Sequence, residues 1–263
     1  MIDFHTHIWP DRLAPGTIKA LSAAAGIPAR TDGTAEGLRR SMADSGIALS
    51  VVLPVITRTE QFDSITGFAS TINEKYEDLV SFGAVFPGDP DHKERLRILK
   101  EYGFKGIKIH PDYHRVALDA KESMDIIYEA SALGMIISVH AGIDIGLPDH
   151  PCSTPEMAAK VLDEIGPEKL VLAHTGGWKL WDETEELLAG RDVYFDLSFT
   201  DGYIRDEQWE RIIKKHGAKR CLFGTDSPWS GQKETTEALR RLDLTDEECR
   251  LILYENASGL LGG

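Results

Sequence analysis

The segment "MIDFHTH" sets Asp3, His5 and His7 at every second position of an apolar stretch. Side chains alternate across an extended chain, so this spacing predicts all three on one face. Imidazoles and carboxylates in an apolar setting carry a large desolvation cost unless something satisfies them. Later apolar stretches end the same way, with His140 in "SVHAG", His174 in "LAHTGG" and Asp226 in "FGTDSPW". "IKIHP" carries Lys108 and His110, again two apart. Brought to one place, these imidazoles would repel one another if protonated, and a divalent cation resolves the conflict. Imidazole nitrogen with carboxylate oxygen suits Zn2+ first, and Mn2+ or Fe2+ less specifically. Such an ion lowers the pKa of its water toward about 7, which makes hydroxide available at neutral pH.

The elements that must position these residues are eight apolar runs, most followed by a helix-like pattern. They span 1–7, 49–55, 79–87, 104–111, 135–142, 170–177, 193–199 and 221–229. Their near-continuous apolar character fits strands buried on both faces of a parallel sheet. "AKESMDIIYEASALG" spaces Met124, Ile127, Tyr128 and Leu133 along one side of a helix, with Gly134 free to take the left-handed end position. "STPEMAAKVLDEIG" sets Ser153 three before Glu156, and the last helix sets Thr245 three before Glu248, each a capping-box pattern. Strands alternating with helices predict an α/β fold, a (β/α)8 barrel forming one domain over 1–263. In such barrels the C-terminal strand ends build the active site, which is where His5, His7, His140, His174 and Asp226 fall. An open doubly wound sheet is the alternative, but no G-x-G-x-x-G follows any strand. The connection over 8–48 is too long for one helix, so a helical insertion over the barrel mouth is expected after the first strand.

Composition bounds the partners. The formal charge of −14 disfavours a nucleic-acid partner. No apolar run is long enough for a membrane span, and no basic region followed by an apolar stretch marks a leader. Three scattered cysteines, Cys152, Cys221 and Cys249, form no CxxC pair, which fits a reducing cytoplasm. A small-molecule substrate is the expected partner, and a homodimer the default assembly.

Taken in order, the D-x-H-x-H strand, the single histidines ending the fifth and sixth strands, and "GTDSPW" ending the eighth resemble the amidohydrolase superfamily. "GFKGIKIHP", "LAHTGG" and "YENASGLLG" resemble the amidohydrolase-related branch, which holds metal-dependent hydrolases and non-oxidative decarboxylases. The resemblance covers essentially the whole chain. It implies His5, His7, His140 and Asp226 as metal ligands. It further implies that His174 orients or deprotonates water, or polarises the substrate, and that Asp226 also shuttles the proton. A binuclear variant of the superfamily bridges two ions with a carboxylated lysine on the fourth strand, where Lys108 sits; the mononuclear pattern is commoner in this branch. Asp3 is placed to hold the ligand pair from behind.

His110 lines the pocket or merely ends its strand. His114 and Arg115 are loop residues that could reach substrate, Arg115 by pairing with a carboxylate. Trp9, Trp178 and Trp229 are candidate pocket walls, Trp181 a helix-packing residue, and His92, His150 and His216 have no assigned role. Two chemistries share this ligand set. One is hydrolysis of an amide, ester or lactone by activated water. The other is decarboxylation of a small, possibly aromatic, carboxylic acid. A nuclease of the TatD type would carry a glutamate ligand on the fourth strand, where this chain has Lys108 and His110. A metal-storage barrel would favour a closed coordination shell.

Overall fold

In the computed structural model, which describes residues 1–262, every strand pairing is parallel. One sheet has the order β1 (Ile2–Thr6), β2 (Leu49–Val52), β3 (Leu79–Ser81). The other runs through β4 (Gly83–Ala84), β5 (Gly106–Ile109), β6 (Ile136–Val139), β7 (Leu170–Leu172), β8 (Tyr194–Asp196) and β9 (Cys221–Leu222). The third apolar run therefore supplies two strands, broken at the fully buried Phe82. Three backbone bonds join the first run to the last: Phe4 N–H to Phe223 O at 2.8 Å, Asp226 N–H to His5 O at 2.8 Å and His7 N–H to Ser227 O at 2.6 Å. The expected α/β barrel architecture is what the chain adopts.

β1 departs from strict alternation. Asp3 pairs with Ser50 and Thr6 with Val52, so three steps on β1 match two on β2. This bulge breaks the period-two pattern, and Asp3 does not join the histidines at the site. Its carboxylate instead accepts from Thr225 N (3.0 Å), Thr225 Oγ1 (2.6 Å) and Gln232 Nε2 (2.7 Å), with Gln232 opening the helix Gln232–Arg241. It also accepts from His5 N at 3.2 Å. Asp3 thus ties β1 to the segment bearing Asp226, from outside the ligand cluster.

The long first connection folds as two helices, α1 (Ala14–Ala25) and α2 (Ala35–Ser45). Leu21, Ala24 and Ala25 of α1 wall the cavity at the barrel mouth, while α2 packs against the helix Gln232–Arg241. Two helix details differ from the sequence reading. Thr154, not Ser153, caps the helix Pro155–Glu164 and accepts from Met157 N, because Pro155 takes the first helical position and the cap must directly precede it. Tyr128 lies on the outer side of the helix Lys121–Ala132 and is 59% exposed, whereas Ile126, Ile127 and Ala130 are buried. The Thr245–Glu248 capping box forms, and Gly134 takes φ of 67°.

Candidate active site

His5 and His7 leave the end of β1 and meet Asp226 beyond β9. His5 Nε2 lies 3.1 Å from His7 Nε2 and 3.3 Å from Asp226 Oδ1, and His7 Nε2 lies 3.1 Å from Asp226 Oδ1. The tautomers follow from the far side of each ring. His7 Nδ1 lies 2.7 Å from the carbonyl of Leu53, which can only accept, so Nδ1 carries the proton and Nε2 is bare. His5 Nδ1 lies 2.8 Å from Asp196 Oδ2, which fixes the same tautomer. Burial, followed by the charge of Lys108, lowers the His5 pKa to about 4, so the ring is neutral at pH 7. Burial raises the pKa of Asp226, and the neighbouring His5 and His7, through charge and a His7 hydrogen bond that exist while those rings are protonated, hold the carboxyl below its ordinary value.

His5 Nε2, His7 Nε2 and Asp226 Oδ1 thus face one another, with Lys108 Nζ, 3.4 Å from His5 Nε2, as a donor beside them. A tetrahedral ion at about 2.0–2.1 Å from each donor spaces them by about 3.3 Å, close to the observed triangle. The planes of His5 and His7 cross at 73°, so one point can lie in both ring planes, as coordination requires. This group fits a divalent ion.

Two other His/Asp groups do not. His5, His174 and Asp196 are joined by ordinary hydrogen bonds. Ser198 Oγ lies 3.0 Å from both His5 Nδ1 and His174 Nδ1, and the Ser198 carbonyl accepts from His174 Nδ1 at 3.1 Å. Asp196 is held well below the usual carboxylate range, because the His5 and His174 rings and the Ser198 side chain outweigh the effect of its burial. The last group is His110, His140 and Asp144. Here the rings stack parallel within 8°, centroids 4.1 Å apart, so no point lies in both planes. A single ion cannot take an in-plane lone pair from each.

Two buried site residues sit in left-handed backbone, His174 at φ of 59° and Asp226 at φ of 64°. That conformation is costly for residues with a Cβ and concentrates where geometry serves function. Trp181 Nε1 donates to the His174 carbonyl at 3.1 Å, which helps hold this turn. His174 Nδ1 carries the proton toward Ser198, so its bare Nε2 accepts from His140 Nδ1 at 3.1 Å. His140 Nε2 is then also bare, buried and without a hydrogen-bond partner. His140 contacts His174 through Nδ1, and its Nε2 lies 3.9 Å from Asp144 Oδ2. Lys108, on β5, lies 3.4 Å from His5 Nε2, and burial lowers its pKa to about 8.

The cavity above the triad measures about 240 Å³. Trp9, Trp178, Phe199 and Trp229 wall it, with His110 and Tyr113 stacked at one end. Lys108 is its one lysine or arginine. Arg115 is exposed and does not line it, because the residue ends the short helix Pro111–His114 at φ of 56° and turns outward. His114 is buried against Phe86 outside the cavity. His216 is buried with Phe195, at 3.8 Å between centroids, far from this chemistry.

Sequence reasoning missed Asp196, Ser198, Asp112 and Asp144. The first two alternate in "VYFDLSF" just as His5 and His7 do, so the signal was present. Asp112 and Asp144 lie beyond strand ends, where only the loop path brings them to the imidazoles.

Sequence and fold comparisons place the chain in a family. The Amidohydrolase family profile matches residues 2–263, and the chain belongs to that family. No curated protein sequence matches it. Among solved structures it is similar to 5-carboxyvanillate decarboxylase from Sphingomonas paucimobilis, at 13% identity over 99% of this chain and 98% of that one, TM-score 0.74. It is similar to 2,6-dihydroxybenzoate decarboxylase from Rhizobium, at 15% identity over 99% and 98%, TM-score 0.72. It is also similar to a probable 2-pyrone-4,6-dicarboxylic acid hydrolase from Acinetobacter baumannii, at 16% identity over 100% and 99%, TM-score 0.67. At these identities the likeness is one of fold. The chain is an amidohydrolase-family enzyme with His/Asp groups able to hold a metal.

Proposed function

We propose that the chain hydrolyses a small amide, ester or lactone with the help of one divalent ion, Zn2+ by preference. The observation that carries this reading is the triangle of bare donors, His5 Nε2, His7 Nε2 and Asp226 Oδ1, at the base of an apolar cavity. These three residues would hold the ion, with His140, whose buried Nε2 has no hydrogen-bond partner, as the fourth ligand. When bound, it supplies Lewis acidity, polarising a carbonyl and lowering the pKa of water.

The remaining work belongs to side chains. Asp226, ionised at neutral pH, takes a proton from the attacking water and delivers it to the leaving group. His174, fixed by Ser198, accepts from His140 Nδ1 through Nε2 and so orients the His140 ring over the cavity. Trp9, Trp178 and Trp229 orient a flat substrate and exclude bulk water.

Decarboxylation is the second reading, favoured by the aromatic walls, which suit a ring acid, and by the fold likeness to two decarboxylases. One experiment separates them. Zn2+- or Mn2+-loaded enzyme is offered lactones and esters in a pH-stat, amides with amine detection, and aromatic acids with CO2 detection. Acid or amine release with the carbonyl panel supports hydrolysis, and CO2 release alone overturns it.

A further inference from the structure

We propose that the substrate has one polar end, held at the ion site and Lys108, and an apolar body that covers the inner face of α1, and that a second carboxylate on that body is rejected. The inference deepens the reading above. It rests on the cavity being the substrate site, and on neither choice of reaction.

Three observations carry it. First, α1 turns an apolar stripe into the cavity and leaves it uncovered. Leu21, Ala24 and Ala25 follow the i, i+3, i+4 spacing of one helix face, and all three line the cavity. The fold buries Ala14 of this helix, whereas Leu21 and Ala25 stay half-buried and Ala24 exposed. Ile27, just beyond the helix, continues the stripe. A ligand that shields such surface gains free energy in proportion to the apolar area it covers.

Second, the stripe is fixed beside the ion site. Trp9 lies two residues past His7, its ring 6.4 Å from the His7 ring, and its N–H donates to Gly33 O at 2.8 Å. A Cβ at Gly33 would come within 2.9 Å of Ile18 and 3.1 Å of Trp9, so glycine there lets α1, through Ile18, press toward Trp9. Trp229, three residues past Asp226, meets Trp9 edge-on at 6.3 Å. A body whose reacting end sits at His7 and Asp226 therefore runs along these indoles and onto α1.

Third, the charges admit one anion. Among the described residues that line the cavity, Lys108 is the one lysine or arginine, and it lies 3.4 Å from His5 Nε2. Asp144 adds a further carboxylate to the wall. A second substrate carboxylate would meet apolar surface and like charge, and nothing would offset its desolvation.

The test measures, by titration calorimetry, the binding of benzoate, its 4-methyl, 4-ethyl and 4-propyl derivatives and terephthalate, with Zn2+ and after chelation. Affinity is expected to rise about threefold for each added alkyl carbon. Terephthalate should bind at least about tenfold more weakly than 4-methylbenzoate. Both ratios should persist without the ion, so failure of the metal assignment leaves them readable. These acids hold no bond for hydrolysis to cleave, so they also stay readable if that reaction fails. Leu21→Ser should cut the gain per carbon below about 1.5-fold, while Ala23→Ser, on the same helix but exposed and outside the cavity, keeps it. A flat alkyl series in wild type overturns the proposal, as does terephthalate binding as tightly as 4-methylbenzoate. So does the full gain per carbon in Leu21→Ser, since the body would then lie off α1.

Discussion

His5 and Asp196 are joined through Nδ1 and Oδ2 at 2.8 Å, although 191 residues separate them in the chain. The bond fixes the His5 tautomer and aims its bare Nε2 at His7 and Asp226. A carboxylate behind a ligand imidazole also raises its basicity. Asp196→Asn keeps the shape but removes the charge. Affinity for Zn2+, measured against a competing chelator, should weaken by about 10–100-fold. An unchanged affinity would show that the bond is structural only.

Metal should also report as stability. At an ion concentration near 100 times Kd, a site present only in the folded state adds about 2.7 kcal/mol. For a domain of this size that corresponds to a rise of about 8 °C in Tm. Asp226→Asn, which removes one corner of the triangle, should lose the Zn2+-dependent rise and reduce turnover by at least about a thousandfold. A calorimetric scan with and without added Zn2+ decides the first point.

Asp3 offers a contrast, since it supports the site without facing it. Its carboxylate accepts from His5 N, Thr225 N, Thr225 Oγ1 and Gln232 Nε2, all in the interior. Asp3→Ala leaves these donors unpaired and should destabilise the fold by about 3 kcal/mol in urea unfolding. A loss under about 0.5 kcal/mol would mean that water replaces the carboxylate without penalty.

The barrel was legible because strands buried on both faces must be apolar along their length, and every one of the eight runs contributes to the sheets. His5, His7 and Asp226 were legible because polar groups at the ends of such runs need an explanation. Asp3 departs from the alternation its spacing predicts, because a bulge in β1 leaves no mark in the residue types. Asp196 and Ser198 carry the same two-residue spacing in "VYFDLSF" and do face the histidines. Arg115 and Asp144 show the limit more sharply. One turns outward and the other inward for reasons of loop path, which depend on long-range packing rather than on local spacing.

Acid stability can be read at His114, a buried residue remote from the triad. Its ring meets Phe86 edge-on at 5.5 Å in the interior. Burial lowers its pKa from 6.5 to about 4. Between those values the unfolded chain binds a proton that the folded chain does not. The contribution of His114 is therefore fully present above pH 6.5 and is lost as pH falls toward 4, by about 3 kcal/mol in all. His114→Leu removes the titrating group while keeping an apolar side chain against Phe86. Urea unfolding at pH 7 and pH 5 should show the variant losing about 2 kcal/mol less than wild type over that interval. Parallel losses in the two proteins would mean that His114 is protonated in the fold, and that its burial does not set its charge.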